Sequence, residues 1–546
     1  MTIIGSDPTG GWDPTRAQAI RTAGMQYTSN ELMQGDWTKG PQGTGETKWE
    51  YGFLGDTTLE TGELAESWEV KDDGTIIFNL RKGIKYHNKA PANGREMTAQ
   101  DVVWNMEMQF NYVTAWQTMT YPPSKAEAVT GSVLPGDARR PTSFKALDKY
   151  TVEIKTPPAS QAIMLLEIGD NAYVNPPELW TSPGAAGVPT WDKVVGSGPY
   201  TIKNYVPGSV LEYTKFKDYF ETDPLYPGNK WPYIDTIKLL IIPDLSTRQA
   251  AFRIGKLDMM SLSPEDAKLM LKQRPDIQYV KRVGGVNVLS GRMDKKDLPY
   301  KDIRVRQALN MAVDKEAYLN GFLAGEGVML GYPYPPTQSW AKFYTPLEEM
   351  PKVKELFTYN PEKARQLLKE AGYPTGFKAK VNMSNASASV DQMSILKDNL
   401  AKVGVEVNLV LMESGAYSTM DAANSHEEMW YGSARGVWAP HEQLTTKRGV
   451  YSNDAIIDDP YYDEVGKVIA RDIVKDPANY FKVLKAEGVY ELESAWGIFL
   501  PAPYTYAMWW PWIENYYGIN WTGWANITDW YKGLWINEDL KKSMGY

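Results

Sequence analysis

The sequence predicts an α/β protein built from more than one lobe, and three observations predict it. A chain of 546 residues is too long for one hydrophobic core, which stops growing near ~250–300 residues. Hydrophobic residues make up 43% and charged residues 23%, the balance of a folded globular protein. Between Phe377 and Met412 strand and helix patterns alternate with short links, which implies a parallel pair joined by a right-handed crossover.

The elements follow in chain order. Gly40 to Gly45 reads as a loop. Strand patterns at Ser67–Val70 and Ile76–Leu80 flank Asp72-Asp73-Gly74, a tight hairpin signal. A helix begins after Thr98, an N-cap residue with Asp101 three positions on and Met97 placed to staple onto Val102. Val102, Met106 and Phe110 then repeat at helical spacing. Asn175 to Thr190 is rich in Pro and Gly and reads as a lobe crossing. Gly196–Tyr205 and Ser209–Phe216 form a hairpin pattern around Pro207-Gly208, followed by a strand at Ile234–Ile242 and a short helix at Ser246–Ile254. Asn360-Pro361-Glu362 starts a helix with cap, first-turn Pro and acid in order, and Gly372 with Pro374 stops it. Phe377–Met383 reads as a strand, Ser389–Val403 as a helix and Val405–Met412 as a strand.

Composition excludes several functions. A net charge of -9 argues against nucleic acid, whose binding rests on a basic footprint. No apolar run approaches the ~18–20 residues of a membrane helix. The sequence as given holds no Cys, so no disulfide, thiol nucleophile or lipid-bearing Cys is expected within it. His87, His426 and His441, the only three His, lack the spacing of a zinc hydrolase. No metal site and no cofactor is expected. His87 is read as structural, whereas His426 and His441 are held open as ligand contacts. Neither a Gly-x-Ser-x-Gly elbow nor a Walker loop occurs. The neighbouring acids Glu427-Glu428 and Asp458-Asp459 make poor catalytic pairs, since adjacent strand residues point apart. The protein is not expected to be an enzyme. Against 13 Phe stand 20 Trp and 34 Tyr, rings with a flat face and a polar edge. They suit a wetted cleft, although packing accounts for most of them.

Separated phrases then recur in a fixed order. They are Leu64-Ala65-Glu66-Ser67-Trp68-Glu69-Val70, then Phe78-Asn79-Leu80-Arg81-Lys82-Gly83-Ile84-Lys85-Tyr86-His87, and Gly196-Ser197-Gly198-Pro199-Tyr200. Ile241-Ile242-Pro243-Asp244 follows with Arg248 and Gly255-Lys256-Leu257-Asp258, and last comes Val305-Arg306-Gln307-Ala308-Leu309-Asn310-Met311-Ala312-Val313-Asp314. Together they resemble the peptide/opine/nickel branch, family 5, of the solute-binding proteins of ABC importers. The resemblance implies a two-lobed fold like that of periplasmic binding proteins, class II and cluster C, with an extra subdomain and a hinge between lobes. Residues 1–45, 190–285 and 500–546 would form one lobe, 46–189 its extra subdomain, and 286–499 the other lobe. It also implies a monomer outside the cytoplasm, in the periplasm or at the cell surface, that delivers a solute to a membrane permease. The start, Met1 to Asp7, lacks a secretory pattern, so the signal segment of such proteins is expected to be missing from this sequence.

In peptide-binding members a strand carries a phrase like Gly-Trp-x-x-Asp-x-x-x-Pro, whose Asp holds the ligand's α-amino group. The matching phrase here, Gly432 to Pro440, places Ser433 at the Trp position and Gly436 at the Asp position, beside Arg435. A buried ammonium without a carboxylate is costly. The swap therefore favours a polyol, or an anion facing Arg435. Trp430 and Trp438 bracket the phrase and could stack on sugar faces. Alternation leaves small residues (Gly432, Ala434, Gly436) beside Trp430. The resemblance also places Tyr27, Asn30, Tyr504 and Tyr506 at the cleft. The expected ligand is an oligosaccharide or related polyhydroxylated solute. An oligopeptide is the alternative, followed by an opine-like conjugate and, more distantly, by glycoside hydrolysis; a nickel chelate is disfavoured.

Overall fold

The computed structural model describes residues 1–8, 11–12, 25–52, 55–111, 139–180, 190–422, 424–434, 453–525 and 529–546. The chain divides into two compact units. The first comprises Met1–Lys281, Ile473–Lys475 and Tyr506–Tyr546, and the second Arg282–Asp472 and Asp476–Thr505. The segment 46–189, expected as a subdomain, lies wholly within the first unit.

In the first unit, the strand Thr2–Ile4 runs parallel to Thr236–Leu240, which continues antiparallel through Val210–Lys215 to Tyr200–Val206. The turn between the last two has Gly208 at φ +68°, a conformation that glycine adopts without strain. A second sheet holds Ala65–Val70 against Thr75–Leu80, then Thr151–Lys155 and Ser143–Ala146. Its first hairpin turns at Gly74 as the sequence implied. The helix Ala99–Asn111 packs beside this sheet. Its entry is fixed by a carboxylate, since Asp101 Oδ2 accepts from the Thr98 backbone N–H at 2.8 Å. Met97 and Val102 are both buried, as the staple requires.

The second unit is centred on a mixed sheet in the order Val405–Met412, Phe377–Ser384, Met429–Ser433, Asn287–Gly291, Gly497–Phe499. The first pair is parallel and in register from Phe377↔Val405 to Ser384↔Met412, and the helix Ser387–Ala401 connects them. Met393, Leu396 and Leu400 of that helix are buried in the core. The helix Pro361–Glu370 starts where its cap predicts, with Asn360 Oδ1 accepting from Lys363 N at 2.9 Å. Among the described residues no helix is long and apolar enough to cross a membrane.

Candidate functional site

The first unit contains a cavity of about 450 Å³, within the ~300–1,000 Å³ of small-molecule sites. Two short strands build its floor. Met33–Gly35 pairs antiparallel with Glu60–Gly62, setting Gln34 opposite Thr61. A Cβ on Gly35 would lie 2.2 Å from the Gly523 backbone N, so glycine is required where the segment 522–525 crosses the strand. After the strand, Asp36 caps a short 3₁₀ turn through Thr38 N at 3.0 Å and Thr38 Oγ1 at 2.6 Å. That turn presents Trp37 to the cavity wall, where Trp231 meets it edge to face with centroids 6.1 Å apart.

Charge on the wall is distributed unevenly. Lys532, 3% exposed, donates to Gln34 Oε1 at 2.6 Å and to Glu221 Oε2, and lies 3.6 Å from Glu63 Oε1. Its ammonium also stands 5.0 Å from the Trp231 ring centroid. Gln34 Nε2 donates back to Glu221 Oε1 at 2.6 Å. This lysine is fully engaged with the protein. Arg81, half-buried on the same wall, is different. It donates only to backbone carbonyls, through Nε to Glu63 O at 2.7 Å and Nη2 to Gly62 O at 3.1 Å. Among the described residues no carboxylate lies within ion-pair distance of it. Three buried polar atoms on the wall, Trp37 Nε1, Trp231 Nε1 and Thr522 Oγ1, also have no hydrogen-bond partner among the described residues. Leaving a buried polar group unsatisfied costs about 1–3 kcal/mol.

Behind the wall, the buried carboxyls of Glu60 and Asp170 influence each other. Burial pushes both carboxyls up, Glu60 to about 7. Asp170 Oδ2 accepts from Trp524 N at 2.6 Å, which ties the segment bearing Thr522 to the carboxyl pair.

Of the described residues expected to contact ligand, none lines this cavity. Tyr27 is buried, with its ring 4.9 Å from Tyr213 and 5.3 Å from Tyr531 between centroids; it packs core. Asn30 adjoins the charged network without lining the cavity. It donates to Glu63 and, at 3.1 Å, sits against Tyr219 Oη, while its Oδ1 accepts from Ser197 Oγ at 3.0 Å. Trp430 is 1% exposed and belongs to the second unit's core. Its indole lies across Gly432, where a Cβ would meet Cζ2 at 2.3 Å. The room expected beside Trp430 is thus filled by the ring itself, because strand side chains lean along the strand. Tyr506 is buried against Tyr279, centroids 5.3 Å apart, with Lys281 over its ring. Tyr504 is half-buried and pairs by its backbone N with Glu326 O at 2.9 Å. Arg435, Gly436, Trp438 and His441 lie outside the described residues.

His87 is structural as read. Gly196 N donates to its Nδ1 at 3.3 Å, so Nε2 donates to Gly198 O at 2.9 Å, and burial lowers it to about 4. His426 is also buried, and burial with Arg292 nearby lowers it to about 4, which makes it a core residue of the second unit. Sequence reasoning missed Gln34, Trp37, Trp231, Glu221 and Lys532. Arg81 stood inside a quoted phrase without being singled out.

A two-unit α/β chain with a ligand-sized cavity, walled by indoles and charged groups, has the build of a solute-binding protein. Residues 61–452 match the family "Bacterial extracellular solute-binding proteins, family 5 Middle", and the chain belongs to that family. It is 32% identical over 378 residues to heme-binding protein A of Haemophilus influenzae, covering 66% of this chain and 64% of that protein. It is 32% identical over 393 residues to the dipeptide-binding protein of Escherichia coli K12, covering 69% and 68%. Among solved structures, the ABC transporter-associated periplasmic binding protein DppA of Helicobacter pylori, in complex with peptide STSA, superposes with a TM-score of 0.71 at 22% identity, over 98% of each chain. That likeness carries the two-lobed fold.

Proposed function

We propose that the chain is the solute receptor of an ABC importer, working outside the cytoplasm, and that its solute is a short peptide rather than the oligosaccharide suggested by Gly436 at the Asp position and the excess of Trp and Tyr. The observation that carries this reading is the 32% identity to a dipeptide-binding protein over 393 residues. The cavity supports it with paired and unpaired charges beside two indoles, whereas a neutral sugar would leave Arg81 without a counter-charge. In this reading the protein captures and releases its solute without making or breaking a bond, and delivers it to a membrane permease.

An oligosaccharide is the second reading, favoured by Thr38, Thr61, Thr222 and Thr522 beside Trp37 and Trp231 on one wall. A thermal-shift screen of the purified protein against di- to pentapeptides, oligosaccharides and opine-like acids separates the two. A ligand at 100 times its Kd stabilises by ~2.7 kcal/mol, a clear rise in Tm. Di- or tripeptides are expected to give that rise. A rise with oligosaccharides and none with peptides would overturn the peptide reading.

A further inference from the structure

We infer that Glu60 is a proton-operated latch beneath the cavity floor: the receptor holds its solute tightly while this carboxyl is protonated and more weakly once it ionises. The inference rests on the reading of this cavity as the solute site and adds how that site is regulated.

The latch lies where two segments of chain cross. Glu60 stands opposite Gly35 in the floor ladder, and alternation sends its side chain to the face away from Thr61, which lines the cavity. Gly35 in turn meets the segment 522–525. A Cβ on Gly523 would lie 2.5 Å from Gly35 N and 2.1 Å from Asp170 Oδ2. Asp170 ends the helix Gln161–Gly169 and is fully buried. It grips the crossing segment by accepting from Trp524 N at 2.6 Å and from Ala525 N at 3.4 Å. Glu167 Oε1, on the same helix, accepts from Trp524 Nε1 at 3.2 Å. The segment is thus pinned between the helix end and the floor strand, and its Thr522 lines the cavity.

The groups that face Glu60 and Asp170 are acids. Asp36 and Asp56 come from the turns beside the floor strands, Glu31 from the chain ahead of them, and Glu167 from the helix. The crossing segment adds only N–H groups. Among the described residues neither Glu60 nor Asp170 has a cation in ion-pair contact. The cations of this region are engaged elsewhere: Lys532 with Glu221, Glu63 and Gln34, Lys39 with Thr58 O, and Arg81 with the carbonyls of Gly62 and Glu63. Burial and these acids hold Glu60 up at about 7. Below that pH the crossing is free of repulsion from Glu60. Above it a new negative charge stands among like charges with no counter-ion. The crossing is packed to contact at Gly35 and Gly523, so the strain passes to Gly35, Thr61 and Thr522, all of which line the cavity.

Calorimetric titration of the intact protein with Ala-Phe at pH 5.5, 7.0 and 8.5 tests the latch, in the wild type and in Glu60→Gln. The dipeptide's own titration is common to both proteins, so the difference between the two profiles reports Glu60 alone. At pH 5.5 the two should agree within about twofold. By pH 8.5 the wild type should bind about tenfold more weakly than the variant, a coupling of ordinary size for linked sites. A merely structural Glu60 would change affinity by the same factor at every pH, and such parallel profiles overturn the latch while the peptide reading stands. Amide exchange of residues 522–525 in the unliganded wild type, corrected for the intrinsic effect of pH, gives a second reading that needs neither ligand nor variant. Protection there should fall about fivefold or more between pH 5.5 and 8.5, and constant protection overturns the latch. If Ala-Phe binds neither protein at any pH, the peptide reading fails and the exchange result alone decides the latch.

Discussion

In the first unit Lys532 is buried between Glu221 and Glu63 and is hydrogen-bonded to Gln34, whereas in the second unit Glu487 and Glu491 are buried with no cation within ion-pair distance among the described residues. The second pair sits one turn apart on the helix Pro477–Glu493. Tyr332 Oη donates to Glu491 Oε1, and Tyr334 Oη approaches Glu487 Oε2 at 3.4 Å. Burial pushes Glu491 to about 8 and Glu487 well up, the latter also through repulsion from Glu491. The second unit treats a buried cation in the same manner. Lys315 is fully buried, donates to Asn310 O at 2.9 Å and Leu356 O at 3.3 Å, and is lowered to about 7 by burial. The Lys532 cluster compensates buried charge with opposite charge; the Glu487–Glu491 pair and Lys315 give up charge by keeping or losing a proton. Only the first arrangement keeps fixed charge beside a cavity.

The largest effect should come from breaking the compensated cluster. Lys532→Met leaves Glu63 and Glu221 buried without their cation and should cost about 3–5 kcal/mol, read as the urea midpoint at pH 7. A loss below about 1 kcal/mol would mean the cluster is wetter than its burial implies. In the second unit the expectation reverses. Glu491 has a folded-state value near 8 against 4.5 unfolded, so the folded state keeps a proton that the unfolded state releases. Stability is full below about pH 4.5 and falls as pH rises through about 8. Glu491→Gln should therefore be near neutral at pH 5 and stabilising by about 2–4 kcal/mol at pH 9. Lys315 tilts the other way, with stability rising between about 7 and 10.5. An unfolding series of the wild type and Glu491→Gln at four pH values separates the two slopes; parallel curves would show that Glu491 is ionised in the fold.

What could be read from the sequence was what is local. Asn360-Pro361-Glu362 caps its helix because donors and acceptors lie within one turn, and Gly74 closes its hairpin by its own φ of +89°. The parallel pair from Phe377 to Met412 followed from period and link length alone. The charged network was invisible for the opposite reason: Lys532 meets Gln34 across 498 residues and Glu221 across 311, and no periodicity encodes such a pairing. Trp430 shows a subtler limit. Alternation gives the face on which a residue stands but not the lean of its side chain, and the lean of the indole onto Gly432 turned an expected opening into packed core. Tyr27 and Asn30 were expected to touch ligand, and both are found in buried networks; residue type alone cannot separate the two uses.

The smallest predicted effect tests whether the first unit also uses the second unit's device. Glu60 and Asp170 lie near each other behind the cavity wall, where burial raises both, with repulsion from Asp56 and Asp36 adding to it for Glu60 and repulsion from Glu60 adding to it for Asp170. Asp170 also accepts the Trp524 N–H at 2.6 Å, which favours a charge on Asp170, so the two influences oppose each other. Glu60 is raised to about 7 from 4.5, first by burial. The stability it supports is therefore whole below pH 4.5 and lost as pH rises through about 7. Glu60→Gln keeps a donor toward Asp170 and removes the titration. It should stabilise by about 1–2 kcal/mol at pH 8 and leave stability at pH 4.5 unchanged, read from urea midpoints. Amide exchange at Trp524 should slow in the variant at pH 8, because that N–H is held by the carboxyl whose partner no longer ionises. An effect of the same size at both pH values would show that Glu60 contributes packing alone, leaving the proton-sharing device to the second unit.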